Sequence, residues 1–249
     1  MFLKIFGILE NMDAKFFLRS IVLAGLLFVL AAPAAAHLPR MEGANAEIKI
    51  ERPEISQAFY GWLEGKPAVY SINAKTPFLL YVGLLSPRVE FAQTDFSAVI
   101  RKDGKLFSRI SAEDSLWPVT YDPFANDYYA KGPEWEQRVP AGKYEIEVSN
   151  SGNSGSYSLA IGKTEDLSLG GFLRTLVVLP RVKEEFFGVP WWQAYNNLVG
   201  LAALIFLVFL SAVAYFTASF FKNRRLKKKL DEQYAKHFAD RNAGGAAGG

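Results

Sequence analysis

The sequence predicts a mainly β protein: a jelly-roll-like β-sandwich ectodomain, one C-terminal transmembrane α-helix and a short cytoplasmic helix. Strand patterns within residues 37–166 are separated by turn-forming residues roughly every 8–12 positions, as in sandwich folds. The segment Leu198–Phe221 contains no charged residue over 24 positions. It is followed by a basic cluster at Lys222–Lys229, which is typical of the cytoplasmic end of a membrane helix.

Residues 1–36 predict a cleaved export signal. A positively charged stretch precedes a short apolar run, and Ala34–Ala36 supply the small residues of a cleavage site before His37. These three parts are complete from Met12 onward, so Met12 is an alternative start of translation. An uncleaved N-terminal anchor is the competing interpretation of the same residues.

The composition excludes several classes of chemistry. The chain contains no cysteine and only two histidines, His37 and His237. This excludes a cysteine nucleophile, a Ser-His-Asp triad inside the body and His/Cys zinc sites, and we expect no cofactor. Residues 37–190 contain 17 Lys and Arg against 20 Asp and Glu, whereas residues 222–249 contain 8 against 3. The basic character therefore belongs to the tail and gives no indication of nucleic-acid binding.

Alternating apolar and polar residues predict the strands of the sandwich. Pro140–Val148 and Ser156–Gly162 alternate with a period of two and flank a polar loop, which predicts a β-hairpin with a long loop. Asp103-Gly104 lies between two short apolar runs and predicts a tight hairpin. Phe78–Leu85 is apolar on both faces, which predicts a central strand covered on both sides.

The C-terminal third is predicted to lead into and through a membrane. Residues 167–197 are predicted to form a juxtamembrane stalk or amphipathic segment. Within it, Gly170–Leu179 is interpreted as a short amphipathic helix or an extended stalk that leads to the membrane surface. Residues 198–221 form the transmembrane helix, and residues 222–249 a basic cytoplasmic tail with an amphipathic helix. Residues predicted to lie at the membrane interfaces are Trp191, Trp192, Tyr195, Lys222, Arg224, Arg225, Lys227, Lys228 and Lys229.

Pro140–Gly162 resembles the end of bacterial pre-peptidase C-terminal domains, which end in a P-A-G-x-Y strand, a polar loop and a G-x-Y-x-L strand. Ile55–Leu84 resembles their opening strands, so the resemblance covers Ile55–Gly162. The middle departs from the pattern, because Phe96–Gly104 and an aromatic-rich insertion stand where an acidic strand is often found. The resemblance implies a small jelly-roll sandwich that acts as a binding module or as a spacer between other domains and is usually not itself catalytic.

The most unusual segment is Leu116–Gln137, which is rich in aromatic, carboxylate and carboxamide side chains. Exposed rings with polar groups between them are typical of surfaces that bind sugars or protein partners. Alternatively, the loop folds back and its rings cover the open end of the sandwich. Asp122 and Asp127 also offer oxygen ligands for Ca²⁺, although their spacing matches no standard calcium loop. The candidate ligand or partner surface comprises Trp117, Tyr121, Asp122, Phe124, Asp127, Tyr128, Tyr129 and Trp135.

These features predict a non-catalytic, membrane-anchored envelope protein of a prokaryote. Its body lies on the extracytoplasmic side of the plasma (inner) membrane, its C-terminus lies inside, and the sandwich engages a protein or a glycan. An accessory single-pass subunit of a larger membrane complex is the alternative, since the helix and the tail offer surfaces for helix partners. A weaker alternative is a hydrolase that uses Glu134 and Glu136, which alternation places on one face of a strand.

Overall fold

The structure, a computed structural model, describes residues 37–43, 47–89, 92–122, 126–166 and 168–245. The predicted export signal lies outside the described residues. The chain divides into two compact units, of which one ends at Ala203 and the other contains the chain from Leu204 onward. The first unit is the β-rich body, and the second contains most of a long C-terminal helix.

The body is built from strands that form two sheets. The strands are β1 (Leu38–Met41), β2 (Glu47–Lys49), β3 (Gln57–Glu64), β4 (Ala68–Ala74), β5 (Phe78–Pro87), β6 (Ser97–Lys102), β7 (Lys105–Ile110), β8 (Val119–Asp122), β9 (Asp127–Val139), β10 (Gly142–Ser149) and β11 (Ser154–Ile161). The larger sheet has six strands in the order β1-β3-β11-β5-β9-β8, and the smaller sheet has five in the order β2-β4-β10-β6-β7. Apolar side chains of both sheets form one buried core, so the predicted mainly β sandwich is confirmed.

Aromatic side chains connect the two sheets inside this core. Tyr70 of β4 and Tyr157 of β11 come from opposite sheets, and their hydroxyl oxygens are 2.8 Å apart. Phe59 of β3 packs edge-on against Tyr70, with the ring centroids 5.4 Å apart. Both hydroxyl groups are buried, and each provides the hydrogen-bond partner that the other needs away from water.

The tight hairpin predicted at Asp103-Gly104 is confirmed. It joins β6 to β7 in the smaller sheet. Asp103 and Gly104 adopt φ angles of 49° and 77°, which is the left-handed conformation that two-residue hairpin turns of type I′ require at both central positions. The predicted central strand is also confirmed, because β5 lies between β11 and β9 and is buried along most of its length.

The hairpin predicted from Pro140–Gly162 is wrong. β10 pairs with β4 and β6 in the smaller sheet, whereas β11 pairs with β3 and β5 in the larger one. The polar loop therefore crosses from one sheet to the other. Period-two alternation shows only that each strand has one buried face. The same pattern is expected for two neighbouring strands of one sheet and for two strands that face each other across a core, so it does not identify the partner strand.

The chain after β11 forms short helical elements and not an extended stalk. Helix α1 (Leu169–Arg181) leads into a π-helical turn at Val182–Phe186, and a 3₁₀ turn follows at Trp191–Tyr195. Ser168 caps α1, since its hydroxyl accepts a hydrogen bond from the Gly171 amide at 3.0 Å. We refer to residues 169–195 as the juxtamembrane layer, because they pack on the β-rich body.

Helix α2 (Leu198–Gly245) is continuous through the predicted membrane span and the basic tail. The expected short cytoplasmic helix is therefore not a separate element. The reason lies in the sequence, because residues 201–243 contain no proline or glycine and the basic stretch is rich in lysine, arginine and leucine, which favour helix. The segment Val199–Ala235 is long and apolar enough to cross a membrane.

Candidate functional site

The predicted aromatic surface falls on the hairpin of β8 and β9 at one edge of the larger sheet. Tyr121 and Tyr128 face each other across this hairpin, and their ring centroids are 5.1 Å apart. Their exposed fractions are 46% and 55%. The Tyr121 hydroxyl donates a hydrogen bond to Oδ1 of Asn126 at 2.8 Å. We name Tyr121 and Tyr128 the aromatic pair.

Other rings of the predicted surface point into the protein. Trp117 is buried in the core beside Phe96, and its indole N–H donates to the Ala112 carbonyl oxygen at 3.1 Å. Trp135 is half-buried and packs edge-on against Phe107, with the centroids 6.1 Å apart. These two tryptophans thus stabilise the sandwich, but the segment contributes them as part of strands β8 and β9 and the turn before them, and not as a loop over the open end.

Strand alternation explains which side chains of β9 reach solvent. Tyr128 and Ala130 point to the face that looks toward the smaller sheet, and Ala130 joins the inner core. Asp127 and Tyr129 point to the opposite face, where the juxtamembrane layer covers them. The predicted surface is therefore split between two faces of one strand. Phe124, its remaining ring, lies outside the described residues.

A buried ion pair joins the hairpin to the juxtamembrane layer. Nζ of Lys183, in the π-helical turn, lies 2.5 Å from Oδ2 of Asp127, and the two side chains are only 1% and 11% exposed. The ammonium group also lies 5.6 Å from the ring centroid of Phe187. Removing the charge of Lys183 would leave the Asp127 carboxylate buried without this cation, so the pair ties the layer to the sheet.

The environment of Asp127 changes its protonation. Burial raises the pKa of Asp127 to about 6, because the charged carboxylate is poorly solvated, and the negative charge of Asp122 adds to the increase. The hydrogen bond and the charge of Lys183 act in the opposite direction. Burial therefore outweighs the ion pair, and the carboxyl group is poised to titrate close to neutral pH.

Paired tyrosines surround the ion pair with a second buried cluster. The hydroxyl oxygens of Tyr60 on β3 and Tyr129 on β9 are 3.1 Å apart. Phe186 packs edge-on against Tyr60 at 4.9 Å, and Phe187 packs edge-on against Tyr129 at 5.3 Å between centroids. Burial raises the pKa of both tyrosines, so both remain neutral around the ion pair.

Sequence reasoning missed Lys183 and its contacts. The available signal was the continued helical spacing of Val178, Val182 and Phe186, which extends the apolar face beyond the predicted end of the helix at Leu179. All three side chains belong to the cluster on the outer face of the larger sheet. The partner of Lys183 is 56 positions earlier in the chain, and no local pattern identifies it.

The carboxylates of the hydrolase alternative are engaged with neighbouring groups. Glu134 accepts a hydrogen bond from the Tyr81 hydroxyl at 2.6 Å and pairs with Lys131 at 3.0 Å, while Glu136 pairs with Lys163. Burial acts to raise the pKa of Glu134, but the bonds from Tyr81 and Lys131 bring it below its ordinary value. A general acid in glycoside hydrolysis requires a raised pKa, so this geometry disfavours that role.

The calcium alternative meets a similar obstacle at Asp127. Its carboxylate already faces a cation, the buried ammonium group of Lys183. Within residues 37–43, 47–89, 92–122, 126–166 and 168–245, no three or more His, Cys, Asp or Glu side chains are grouped as a metal site would require.

The residues predicted for the membrane interface are accessible. Trp191, Trp192 and Tyr195 are exposed in the 3₁₀ turn ahead of α2. The predicted basic residues on α2 are also exposed: Lys222, Arg224, Arg225, Lys227, Lys228 and Lys229. This exposure fits contact with lipid headgroups, and their place at the membrane stays a prediction.

No family model matches the chain, and no curated protein matches it in sequence. Among solved structures, the pre-peptidase C-terminal domain of a collagenase from Bacillus anthracis is 15% identical over 51% of this chain and 97% of that one, with a TM-score of 0.28. A beta-glucosidase from Paenibacillus barengoltzii is 9% identical over 50% of this chain and 13% of that one, with a TM-score of 0.24. The first is a domain of the family that Pro140–Gly162 resembles.

Proposed function

We propose that the chain is a non-catalytic envelope protein that holds a β-sandwich at the extracytoplasmic surface of a prokaryotic plasma membrane. The observation that carries the proposal is the order of its parts: a folded sandwich and the juxtamembrane layer are followed by Val199–Ala235, a helical segment long and apolar enough to span a membrane. The basic cluster within this helix favours a cytoplasmic C-terminus.

The sandwich has one broad face on which a protein or glycan partner can bind. The juxtamembrane layer covers part of the outer face of the larger sheet. On the outer face of the smaller sheet, by contrast, side chains such as Lys49, Asn73 and Glu145 are exposed. Arg101 lies there between Glu145 and Glu147, at 3.2 and 2.8 Å. We assign partner binding to this charged face.

Site-directed crosslinking in native membranes tests this assignment. A photoreactive group at Asn73, on the smaller sheet, should give a discrete crosslinked species, and the charge reversal Arg101→Glu should reduce its yield. The matched control is Arg138→Glu on the exposed part of β9, which should leave the yield unchanged. Equal losses from both reversals, or no crosslink from Asn73, would contradict the assignment.

The alternative function is that of an accessory subunit held in a larger complex through α2. It is favoured by the exposure of apolar side chains along this helix, including Leu204, Leu207 and Val208. Photoreactive groups at these positions distinguish the two functions. Crosslinks to protein from α2 alone, without any from Asn73, would establish the accessory role in place of our proposal.

A further inference from the structure

We propose that the aromatic pair on the β8–β9 hairpin rests in the headgroup layer of the membrane, so that the sandwich touches the lipid surface at a second point beside its anchor. This inference rests on the proposed membrane anchoring by α2. It assigns to Tyr121 and Tyr128 a lipid surface as their partner, where the sequence had suggested a sugar or a protein.

Two hydrogen bonds link the aromatic pair to the start of the membrane helix. The Tyr121 hydroxyl donates to Oδ1 of Asn126 at 2.8 Å, and Nδ2 of the same asparagine donates to the backbone carbonyl of Asn196 at 3.1 Å. Asn196 precedes the first residue of α2, Leu198, by two positions. The hairpin is thus held beside the point where the chain approaches the membrane.

Chain length places Asn196 at the level of the lipid headgroups. A hydrocarbon core of about 30 Å needs about 20 helical residues at 1.5 Å each. Counted back from Phe221, the last residue before the basic cluster, these residues reach Ala202. Asn196 is then about 9 Å farther out if the rise is helical, and headgroups extend about 5–7 Å beyond the core on each side. A modest tilt brings it within that layer.

The exposed side chains around this point have the chemistry of an interfacial belt. Tyrosine and tryptophan prefer this depth because their rings are apolar and their polar atoms remain hydrated. Trp191 and Trp192 are 53% and 55% exposed in the same unit of the structure. Val119, which alternation places on the same face of β8 as Tyr121, is 47% exposed and extends the apolar area.

Depth-dependent fluorescence quenching of the full-length chain tests the inference. The natural chain has no cysteine, so single cysteines can be labelled without background. The probe sites are Val119→Cys and Tyr128→Cys, and Trp192→Cys reports on the anchor. Leu106→Cys is the matched control, since Leu106 is a 66% exposed apolar residue on β7, an edge strand of the other sheet. Labelled proteins are placed in vesicles of phosphatidylethanolamine and phosphatidylglycerol that contain headgroup-nitroxide lipids.

We expect the labels at Val119 and Tyr128 to lie within about 5–10 Å of the boundary between headgroups and acyl chains, as the label at Trp192 should. The label at Leu106 should remain unquenched. Adding Tyr121→Ser and Tyr128→Ser to the Val119→Cys chain should reduce its quenching, because the aromatic contact is lost.

Each other outcome overturns a defined part of the argument. Quenching at Trp192 but not at Val119 or Tyr128 would overturn the hairpin contact and leave the anchor intact. Absence of quenching at all sites would overturn the membrane anchoring itself. Labels at Val119 and Tyr128 that are shielded from an aqueous quencher, yet unquenched by lipid, would show that a protein covers the pair and would refute the lipid contact.

Discussion

The core between the two sheets and the cluster beneath the juxtamembrane layer are held by different interactions. The inner core is almost wholly apolar, and its polar contact between the sheets is the hydroxyl pair of Tyr70 and Tyr157. The outer cluster also has a tyrosine pair, Tyr60 and Tyr129, but it encloses the charged Lys183 and its partner Asp127. The inner core gains stability mainly from removing apolar area from water. The outer cluster depends in addition on the pairing of the Lys183 ammonium group with the Asp127 carboxylate.

This difference implies that the two regions respond separately to mutation. An apolar core loses stability in proportion to the contacts removed, and it unfolds as a unit with both of its sheets. The juxtamembrane layer packs on the sheet through an apolar cluster that contains a buried ion pair, so breaking that pair should loosen the layer while the surface below keeps its own fold.

The largest effect is expected from Lys183→Met. It leaves Asp127 buried without its cation and should cost about 3–5 kcal/mol in alkaline solution, where the carboxyl group stays charged, and less at neutral pH, where that group can protonate. Residues 169–195 should then become accessible to protease and hydrogen exchange, while the strands of the sandwich keep their protection. Denaturation and exchange of the full chain in detergent measure both quantities.

The control for this change is Arg181→Met, two positions earlier. Arg181 is exposed and pairs with Glu185 at the surface, so its loss should cost less than about 1 kcal/mol. Combining Lys183→Met with Asp127→Asn should recover part of the lost stability, because no unmatched charge remains. A cost for Lys183→Met as small as that of Arg181→Met would show that the ion pair does not hold the layer.

The next largest effect is expected from Leu159→Ala in the inner core. Leu159 is fully buried on β11, between β3 and β5. Truncating it leaves a cavity and should cost about 2–5 kcal/mol. Unlike Lys183→Met, it should lower protection in both sheets together. The matched change Leu106→Ala at an exposed position should stay within about 0.5 kcal/mol, and local exchange limited to β11 would contradict a single cooperative core.

How much of the fold the sequence predicts depends on whether a feature is determined by neighbouring residues or by residues far apart in the chain. Asp103-Gly104 specifies its hairpin locally, because both residues must adopt positive φ, and the apolar run Phe78–Leu85 marks a strand buried on both faces. The partners of β10 and β11 are not encoded in their alternation, so the predicted hairpin between them is wrong. Local rules therefore predict strands and tight turns, whereas the pairing of strands depends on contacts far apart in the chain.

The candidate site was less predictable than the fold. Its composition indicates an aromatic segment but does not separate Tyr121, which is exposed, from Trp117, which fills the core. That choice depends on which face of the sheet is covered, and a segment more than 40 residues later supplies the cover for Tyr129. Lys183 itself resembles a solvated charge in the sequence, because lysine is rarely buried without a partner.

A smaller effect is expected from Tyr157→Phe. The Tyr70 hydroxyl would remain buried without its partner, at a cost of about 1–3 kcal/mol. Replacing both tyrosines by phenylalanine should cost less than the single change, since no unpaired hydroxyl remains. Tyr128→Phe is the control, because its hydroxyl is on an exposed side chain. Thermal denaturation of the natural chain, Tyr157→Phe, Tyr70→Phe and the double change measures the coupling, and additive losses would show that the two hydroxyls do not depend on each other.

The smallest effect, and the one that distinguishes the two regions most directly, is their response to pH. The pKa of Asp127 is raised from 3.8 to about 6, so the folded chain binds this proton more tightly than the unfolded chain. The stabilisation from this group is therefore complete below about pH 4 and is lost as the pH rises through about 6. Relative to Asp127→Asn, the natural chain should gain stability when the pH falls from about 7 to about 5. The corresponding change in the Tyr157→Phe chain should match that of the natural chain, because the inner core has no group that titrates in this range.

Carbon-13 NMR of the labelled Asp127 carboxyl group measures the same property directly, with an expected midpoint of about 6. Because Lys183 acts to lower this pKa, Lys183→Met should move the midpoint upward. A midpoint at or below 3.8 would mean that the ion pair outweighs burial. In that case acid would weaken the attachment of the juxtamembrane layer, because at neutral pH the charge pair would contribute more than the desolvation of Asp127 costs.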